Sequence, residues 1–477
     1  MGSPTDRKDD ETLSRPEETQ GPRDRAPEPY LVLALEAERP LQGSSRHFLS
    51  PFDEVRVGRG GVRECVSEVH EGKRRLTVRL TDRLVSKEHA WLIRAGDRWM
   101  LEDAGSKNGL LVNGVPGQRA WLEDGDLIEV GHTFLLFREG TATWRELPAS
   151  LEAEPFRTVT PGLATLHPAL EEAFAKLARV ARAPVPVLLK GETGTGKEVV
   201  ARAYHALSGR SGEFVAVNCG ALPETLVEAE LFGARKGAFS GASENRPGLV
   251  RSAQLGTLFL DELGELPLAS QATLLRVLQE GEVLPLGATR PTKVDFRVIA
   301  ATNRDLEAMG QAGTFRRDLL ARLSGLSLQL PRLKERREDL GWLIAEFLRR
   351  NAPSGAERLS FSVEAARALL RYDWPLNIRE LERGLGAAVA LSAGRIGLEH
   401  LPPALRALPE DEMPERPPTV SRPSGEDRAE LERAGLLKLL TQHQGNVSQV
   451  ARTLGTSRAQ VHRLLKRHGL ALEDFRG

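Results

Sequence analysis

The chain has 477 residues, with Lys plus Arg at 66 and Asp plus Glu at 66. That length exceeds one hydrophobic core and predicts about three domains of roughly 150 residues. The balanced charge excludes any reading of partners from net charge, so sign has to be sought segment by segment. Cys65 and Cys219 stand far apart with no CxxC or Cys/His cluster, which argues against a structural disulfide or zinc site and fits a reducing interior. No apolar run approaches a membrane span, so a soluble, cytoplasmic protein without a membrane partner is expected.

Residues 1–29 mix both charge signs with prolines and lack apolar periodicity, the composition of a disordered leader. From 30 to 139 short apolar runs follow one another, YLVLALE, EVRVGRG, RRLTVRL, HAWLIRAGDRWMLED, LLVNG, DLIEVG and FLLF, separated by turn residues. This spacing predicts an all-β antiparallel sandwich. Between the runs lie Gly58-Arg59, Ser86-Lys87-Glu88-His89, Ser106-Lys107-Asn108-Gly109 and Asn113-Gly114. In this order they resemble a forkhead-associated (FHA) domain. The resemblance implies binding of a threonine-phosphorylated protein or peptide, with Arg59, Ser86, Lys87, Lys107 and Asn108 at the phosphopeptide and with Gly58 and His89 holding the loops in shape. A guanidinium and a hydroxyl are good donors to a phosphate dianion. Lys87 stands where the family has Arg and Lys107 where it has Thr, so positive charge is kept while a bidentate fork is lost at 87.

Residues 140–160, with Pro148 and Pro155, read as a linker that leaves the sandwich room to move. Beyond it the apolar run Val187, Leu188, Leu189 empties into Gly191, Glu192, Thr193, Gly194, Thr195, Gly196, Lys197 and Glu198, followed by a helical pattern. This is a G-x-x-x-x-G-K phosphate loop. Its glycines let backbone N–H groups turn inward on an anion, the next helix presents its positive end, and Lys197 adds a mobile charge for the β- and γ-phosphates. Glu198 replaces the usual Ser or Thr ligand of Mg²⁺, so the metal must rely more on a second acidic motif. GTLFLDE supplies it, an apolar strand ending in Asp261 for Mg²⁺ and Glu262 to polarise the attacking water. Either motif alone arises by chance; both in order predict hydrolysis of ATP. Strand candidates at 185–189, 214–217, 257–260, 294–300 and 326–330 alternate with helical patterns, which predicts a parallel α/β sheet with the nucleotide at its carboxyl ends.

The order GETGTGKE, NCGALPE, ELFGARKGAFSGA, GTLFLDELGELP, RVIAATNRDL, FRRDLLARL, LPRLKERREDL and YDWPLNIREL resembles the AAA+ domain of bacterial sigma-54-dependent activators, or enhancer-binding proteins. The likeness implies an α/β ATPase subdomain over 161–332 and a helical lid over 333–403. It makes Gly237, Ala238, Phe239, Ser240, Gly241 and Ala242 a sigma-54-contacting loop with Phe239 at its tip. Asn218 would switch between Glu262 and that loop, and Asn303 would sense the γ-phosphate. Arg316 and Arg322 would be fingers reaching a neighbouring subunit's site, which makes the active species a homo-oligomeric ring, expected to be a hexamer. Arg379 would be the second sensor. Ser240, Arg235 and Leu376 depart from the usual Thr, Glu and Gly.

Residues 404–427 are a Pro-rich tether. Residues 428–477 alternate helical patterns with the turn Gly455-Thr456-Ser457, a helix-turn-helix, and carry no acidic residue between Glu432 and Glu473. The segment resembles a Fis-type DNA-binding domain, with Ser457, Arg458, Gln460, Val461, Arg463, Lys466 and Arg467 at the DNA. Together these parts predict an activator that binds enhancer DNA and remodels the sigma-54 RNA polymerase holoenzyme under phosphothreonine control. The alternative is a phosphopeptide-controlled, DNA-binding ATPase that does not touch sigma-54.

Overall fold

The structure, a computed structural model, describes residues 27–140, 147–153, 162–238, 244–406, 436–437, 440–441, 443, 445–453, 458–467 and 469–470. The leader over 1–26, Phe239, Ser240, Gly241, Ala242, Ser457 and the tether over 407–427 lie outside the described residues.

YLVLALE is apolar at both parities, which a strand with one wet face does not need. Accordingly β1 (Tyr30–Glu36) is buried along its whole length. Leu31 and Leu33 face one core and Tyr30, Val32 and Ala34 another. The strands that follow are β2 (Ser45–Phe48), β3 (Glu54–Arg59), β4 (Glu64–His70), β5 (Lys73–Leu80), β6 (Ala90–Ala95), β7 (Arg98–Asp103), β8 (Leu110–Val112), β9 (Val115–Gly117), β10 (Arg119–Trp121), β11 (Leu127–Val130), β12 (Thr133–Arg138) and β13 (Ser150–Glu152). They form two sheets, ordered β13-β2-β1-β12-β11-β8-β9 and β10-β7-β6-β3-β5-β4. Leu31, Val55, Leu92, Trp99 and Phe137 belong to the core between them. The expected sandwich is present, with one departure from antiparallel pairing: β3 runs parallel to β5.

The next segment alternates strand and helix: α1 (Pro168–Val180), β14 (Val187–Lys190), α2 (Lys197–Ser208), β15 (Phe214–Asn218), α3 (Val227–Phe232), α4 (Leu249–Ser252), β16 (Thr257–Asp261), α5 (Leu268–Glu280), β17 (Glu282–Val283), β18 (Thr292–Lys293), β19 (Arg297–Thr302), α6 (Leu306–Gln311), α7 (Arg317–Leu323) and β20 (Leu326–Gln329). Its parallel sheet has the order β15-β16-β19-β14-β20. Phe174, Leu189 and Tyr204 pack on one face and Leu188, Leu274 and Leu319 on the other. The strand expected at 294–300 starts later, since the Val294 N–H donates to Gly281 O beside the β17–β18 hairpin. The lid consists of α8 (Leu340–Asn351), α9 (Val363–Arg371), α10 (Asn377–Leu391) and α11 (Pro403–Arg406), and the tail carries α12 (Val447–Thr453) and α13 (Arg458–Arg467).

The span expected to be a free linker is partly structural. Within it β13 pairs with β2, and Leu147 and Ala153 are buried. The outer face of the β1 sheet is covered by the lid, in one apolar core shared by Val32, Phe134, Leu136, Leu340, Ile344 and Leu369. Gly341 marks the closest approach: a Cβ there would fall 1.7 Å from Ala34 O, so α8 can rest on β1 only without a side chain. Polar ties surround this core. Arg367 donates to both oxygens of Glu129 at 2.8 and 2.7 Å. Arg138 Nε lies 2.9 Å from Glu338 Oε1. Arg46, fully buried, donates to Leu166 O at 2.8 Å and to Glu171 at 2.9 Å. The sandwich therefore holds the α/β sheet domain and the lid at once.

Candidate nucleotide site and its satellite surfaces

The phosphate loop joins β14 to α2 with Gly191, Gly194 and Gly196 all at positive φ. Lys197 is buried, and its Nζ donates to Gly191 O at 2.8 Å and Glu192 O at 3.0 Å. Burial pushes its pKa down, while Asp261 and Glu262 oppose that shift and Arg379 adds to it. Thr195 Oγ1 closes the loop by donating to Glu192 O at 2.8 Å. The Glu198 carboxylate pairs with Arg202 one turn on, at 2.6 Å, with half its side chain in solvent.

Asp261 ends β16 in register with Asn218 at the end of β15. Glu262 follows at φ +53, a left-handed conformation that is strained for a residue with a side chain. Asn218 Oδ1 accepts from Gly220 N–H at 2.9 Å, and a Cβ on Gly220 would lie 2.5 Å from Glu262 Oε2 and 3.5 Å from Asn218 Oδ1. The two side chains thus flank one glycine. Asn303 is exposed just past the end of β19, the strand next to β14. Arg316, just before α7, and Arg322, on it, are both exposed; Arg316 pairs with Asp318 at 2.6 Å and Arg322 donates to Leu278 O at 3.0 Å.

The lid reaches the loop through WPLNIREL. Ile378 N–H donates to Gly194 O at 2.9 Å, and Asn377 Nδ2 donates to Thr193 O at 3.1 Å while its Oδ1 accepts from Leu333 N–H at 2.8 Å. Asn377 is buried at φ +58, which asparagine tolerates better than most residues. The motif was quoted from sequence without this residue being singled out. Leu376 takes φ −103 with its side chain mostly exposed, so the side chain is accommodated where the family resemblance leads one to expect glycine. Arg336, also unremarked in the sequence, is buried and donates from Nη2 to Thr195 O at 2.7 Å.

Of the predicted sigma-contacting loop, Gly237 and Ala238 are described and exposed, Gly237 at φ +83. Its stem is pinned: Ala234 bridges to Arg246 and to Leu286, and Lys236 N–H donates to Asn245 Oδ1 at 2.9 Å.

In the sandwich, Arg59 N–H donates to Ser86 O and Arg59 Nη1 to Arg83 O at 3.3 Å. Ser86 Oγ accepts from Lys107 N–H at 3.0 Å, and Asn108 Nδ2 donates to Leu84 O at 2.7 Å. The five predicted residues thus lie at the end of β3 and on two adjoining loops, and an open cleft of about 560 Å³ there is lined by Arg59, Lys87, Arg79 and Glu64. His89 is buried, with Nδ1 accepting from Ser86 N–H and Nε2 at 2.9 Å from Gly109 O. Gly58 has no room for a Cβ, which would meet Lys87 O at 1.9 Å.

In the tail, Asn446 Oδ1 caps α12 by accepting from Ser448 N–H at 3.1 Å. Arg458, Arg463 and Lys466 are exposed on α13 together with His462, which sequence reasoning passed over. Val461 is a correction: it is fully buried against Leu440, Val450 and Leu465, because the inner face of α13 falls on 461 and 465. Gln460 and Arg467 lie within α13.

Four families match in chain order. Residues 55–131 match the FHA domain, 163–329 the Sigma-54 interaction domain, 334–417 the AAA+ ATPase lid domain, and 427–468 the bacterial regulatory proteins of the Fis family. The regulatory protein AtoC of Escherichia coli K12 is 42% identical over 315 residues, 65% of this chain and 68% of AtoC. The transcriptional regulatory protein GlrR of the same organism is 42% identical over 316 residues, 66% of this chain and 69% of GlrR. The crystal structure of NtrX from Brucella abortus in complex with ATP aligns with 66% of this chain and 71% of its own, at 32% identity and a TM-score of 0.47. No helix among the described residues is long and apolar enough to cross a membrane.

Proposed function

The chain belongs to the bacterial sigma-54-dependent transcriptional regulators, and from that premise we propose that it binds enhancer DNA through residues 428–477 and opens sigma-54 polymerase promoter complexes under phosphothreonine control. It is an AAA+ ATPase that binds nucleotide at the phosphate loop. The observation that carries the proposal is the sigma-54 interaction match over 163–329, which spans both the phosphate loop with its buried Lys197 and the strand that ends in Asp261 before Glu262.

Lys197 and the loop N–H groups bind the phosphates, Arg379 approaches them from the lid, and Glu262 orients the attacking water as general base. Asp261, a half-buried carboxylate with hard oxygen donors, suits Mg²⁺. When bound, the ion supplies positive charge to the phosphate oxygens. Arg316 and Arg322, both exposed, the first paired with Asp318 and the second held by Leu278 O of α5, serve a neighbouring subunit's site, so the working species is a ring, a hexamer in this reading, acting in the cytoplasm. Loss of the γ-phosphate, sensed at Asn303 and relayed through Glu262 and Asn218, moves the 237–242 loop on its pinned stem, with Phe239 gripping sigma-54. Input comes from a phosphothreonine held by Arg59, Ser86, Lys87, Lys107 and Asn108. Phe239→Ala tests the sigma-54 contact: the variant is expected to hydrolyse ATP yet form no open complexes with sigma-54 polymerase. Open complexes at the wild-type level would contradict the contact.

A further inference from the structure

Beside the phosphate loop lies a cavity of about 890 Å³ that the ATPase does not wall alone. Thr195, Val199 and Ile378 line one side and Arg39, Leu41 and Gly43 of the sandwich the other. We propose that the 3₁₀ turn Pro40–Gln42 of the sandwich is a third component of the nucleotide site, a wall at the side away from the phosphates, through which the phosphopeptide loops and the bound nucleotide influence each other.

The turn is tied from both sides. On the ATPase side, Arg349 Nη2 donates to Leu41 O at 2.8 Å, and Leu41 packs on the core shared with the lid. On the sandwich side, Arg63, in the loop that follows Arg59, donates to Gln42 O at 3.2 Å and Gly43 O at 2.9 Å and pairs with Glu36 at 3.3 Å. Arg39 donates to Thr81 Oγ1 at 3.1 Å. Thr81 belongs to the same loop as Arg83 and Leu84, whose carbonyls accept from Arg59 and Asn108. A phosphate that draws those side chains away from Arg83 and Leu84 therefore perturbs a loop one hydrogen bond from the turn. Arg336 lines the same cavity; its Nη2 holds Thr195 O, and its buried Nε has no hydrogen-bond partner among the described residues. Among a lining that also carries charged residues such as Glu346, Arg350 and Glu382, Val199, Val200, Ile378 and Leu343 offer apolar surface against which a purine can lie. Coupling between two binding sites is reciprocal, so nucleotide must alter phosphopeptide affinity by the same factor that phosphopeptide alters nucleotide affinity.

The wall stands on geometry alone; its regulatory half rests on the phosphothreonine reading. The test uses the full chain and a fluorescent ADP analogue. Leu41→Asp, which puts a carboxylate into the wall, is expected to weaken ADP binding by about tenfold or more, with Arg119→Ala on the other sheet of the sandwich as the unchanged control. Should Leu41→Asp fail to fold, Arg63→Ala leaves every wall side chain in place and frees the turn, and a several-fold loss is expected. Unaltered ADP affinity in the folded variant would overturn the wall. For the coupling, calorimetry with a phosphothreonine peptide is expected to give affinities differing severalfold with and without ADP, a difference that Arg63→Ala erases. Equal affinities would overturn the coupling. A peptide that does not bind at all would remove the phosphothreonine reading and the coupling with it, while the Leu41→Asp titration still decides the wall.

Discussion

Tyr30 donates its hydroxyl to Glu338 Oε1 at 2.8 Å, tying the first strand of the sandwich to the short segment that leads into the lid. Burial holds the Tyr30 hydroxyl protonated far above its usual range, so it remains a donor at any working pH. Two residues before Glu338, Arg336 grips the phosphate loop; one residue after it, Asp339 accepts from Thr165 Oγ1 and Leu166 N–H at 2.8 and 2.7 Å. One turn of chain thus reaches the sandwich, the loop and the segment before α1.

Glu338 is fully buried, and Arg138 is its cation. Removing one partner of a buried pair costs about 3–5 kcal/mol, and the molecule escapes that cost by parting sandwich from lid. Arg138→Ala is therefore expected to split a shared calorimetric unfolding transition into two. Tyr30→Phe keeps the cation and loses one charged hydrogen bond, about 1.5–3 kcal/mol, without a split. A single transition in Arg138→Ala would show that the two modules do not depend on this pair.

Lys197 and Glu262 are expected to separate binding from hydrolysis. Lys197→Ala loses nucleotide binding, measured by titration with a fluorescent ADP analogue. Glu262→Gln binds nucleotide but hydrolyses ATP about 10²–10⁴-fold more slowly, the usual worth of a positioned base. A Glu262→Gln variant with wild-type turnover would remove Glu262 from that role.

His47 sits between Ser45 and Ser150, with each ring nitrogen 2.9 Å from a hydroxyl, where β2 meets β13. Burial, with Arg63 and Arg46 nearby, pushes it down to about 4 from an ordinary 6.5. Between those values the unfolded chain takes a proton that the folded chain refuses, so stability falls as pH drops from 6.5 towards 4, by up to about 3 kcal/mol. Glu36, whose carboxyl burial raises, acts in the opposite direction, so the comparison is with His47→Gln. That variant should show a shallower acid slope in urea melts; an identical slope would contradict the assignment.

On the tail, exposed Arg463 and buried Val461 predict different failures. Arg463→Ala should weaken DNA binding with an intact fold; if its contact is to phosphate, the log–log salt slope falls by about 1. Val461→Ala should cost about 1–3 kcal/mol of folding stability and act on DNA affinity only through unfolding.

How much of this could be read beforehand depended on whether a residue's chemistry matched its burial. YLVLALE announced a strand, and GETGTGKE and GTLFLDE announced the loop and its acids, since glycine spacing and apolar runs are local signals. SRHF was missed as β2 because Arg46 and His47 look like surface residues, and their burial depends on partners more than 100 positions away. ECVSEVH, the exposed edge strand β4, carries no buried face to betray it. Val461 was misplaced because only the packing of α13 on α12 decides which residues of that helix face inward. The sandwich–lid contact left one trace, a sandwich strand with no polar face, and nothing in the sequence named what would cover it.

The most direct measurement is promoter melting by purified components. Permanganate footprinting with sigma-54 polymerase should show open complexes with this protein and ATP, and none when ATP is replaced by a non-hydrolysable analogue or sigma-54 by the primary sigma factor. Melting that persists with the analogue, or that is indifferent to sigma-54, would contradict the account.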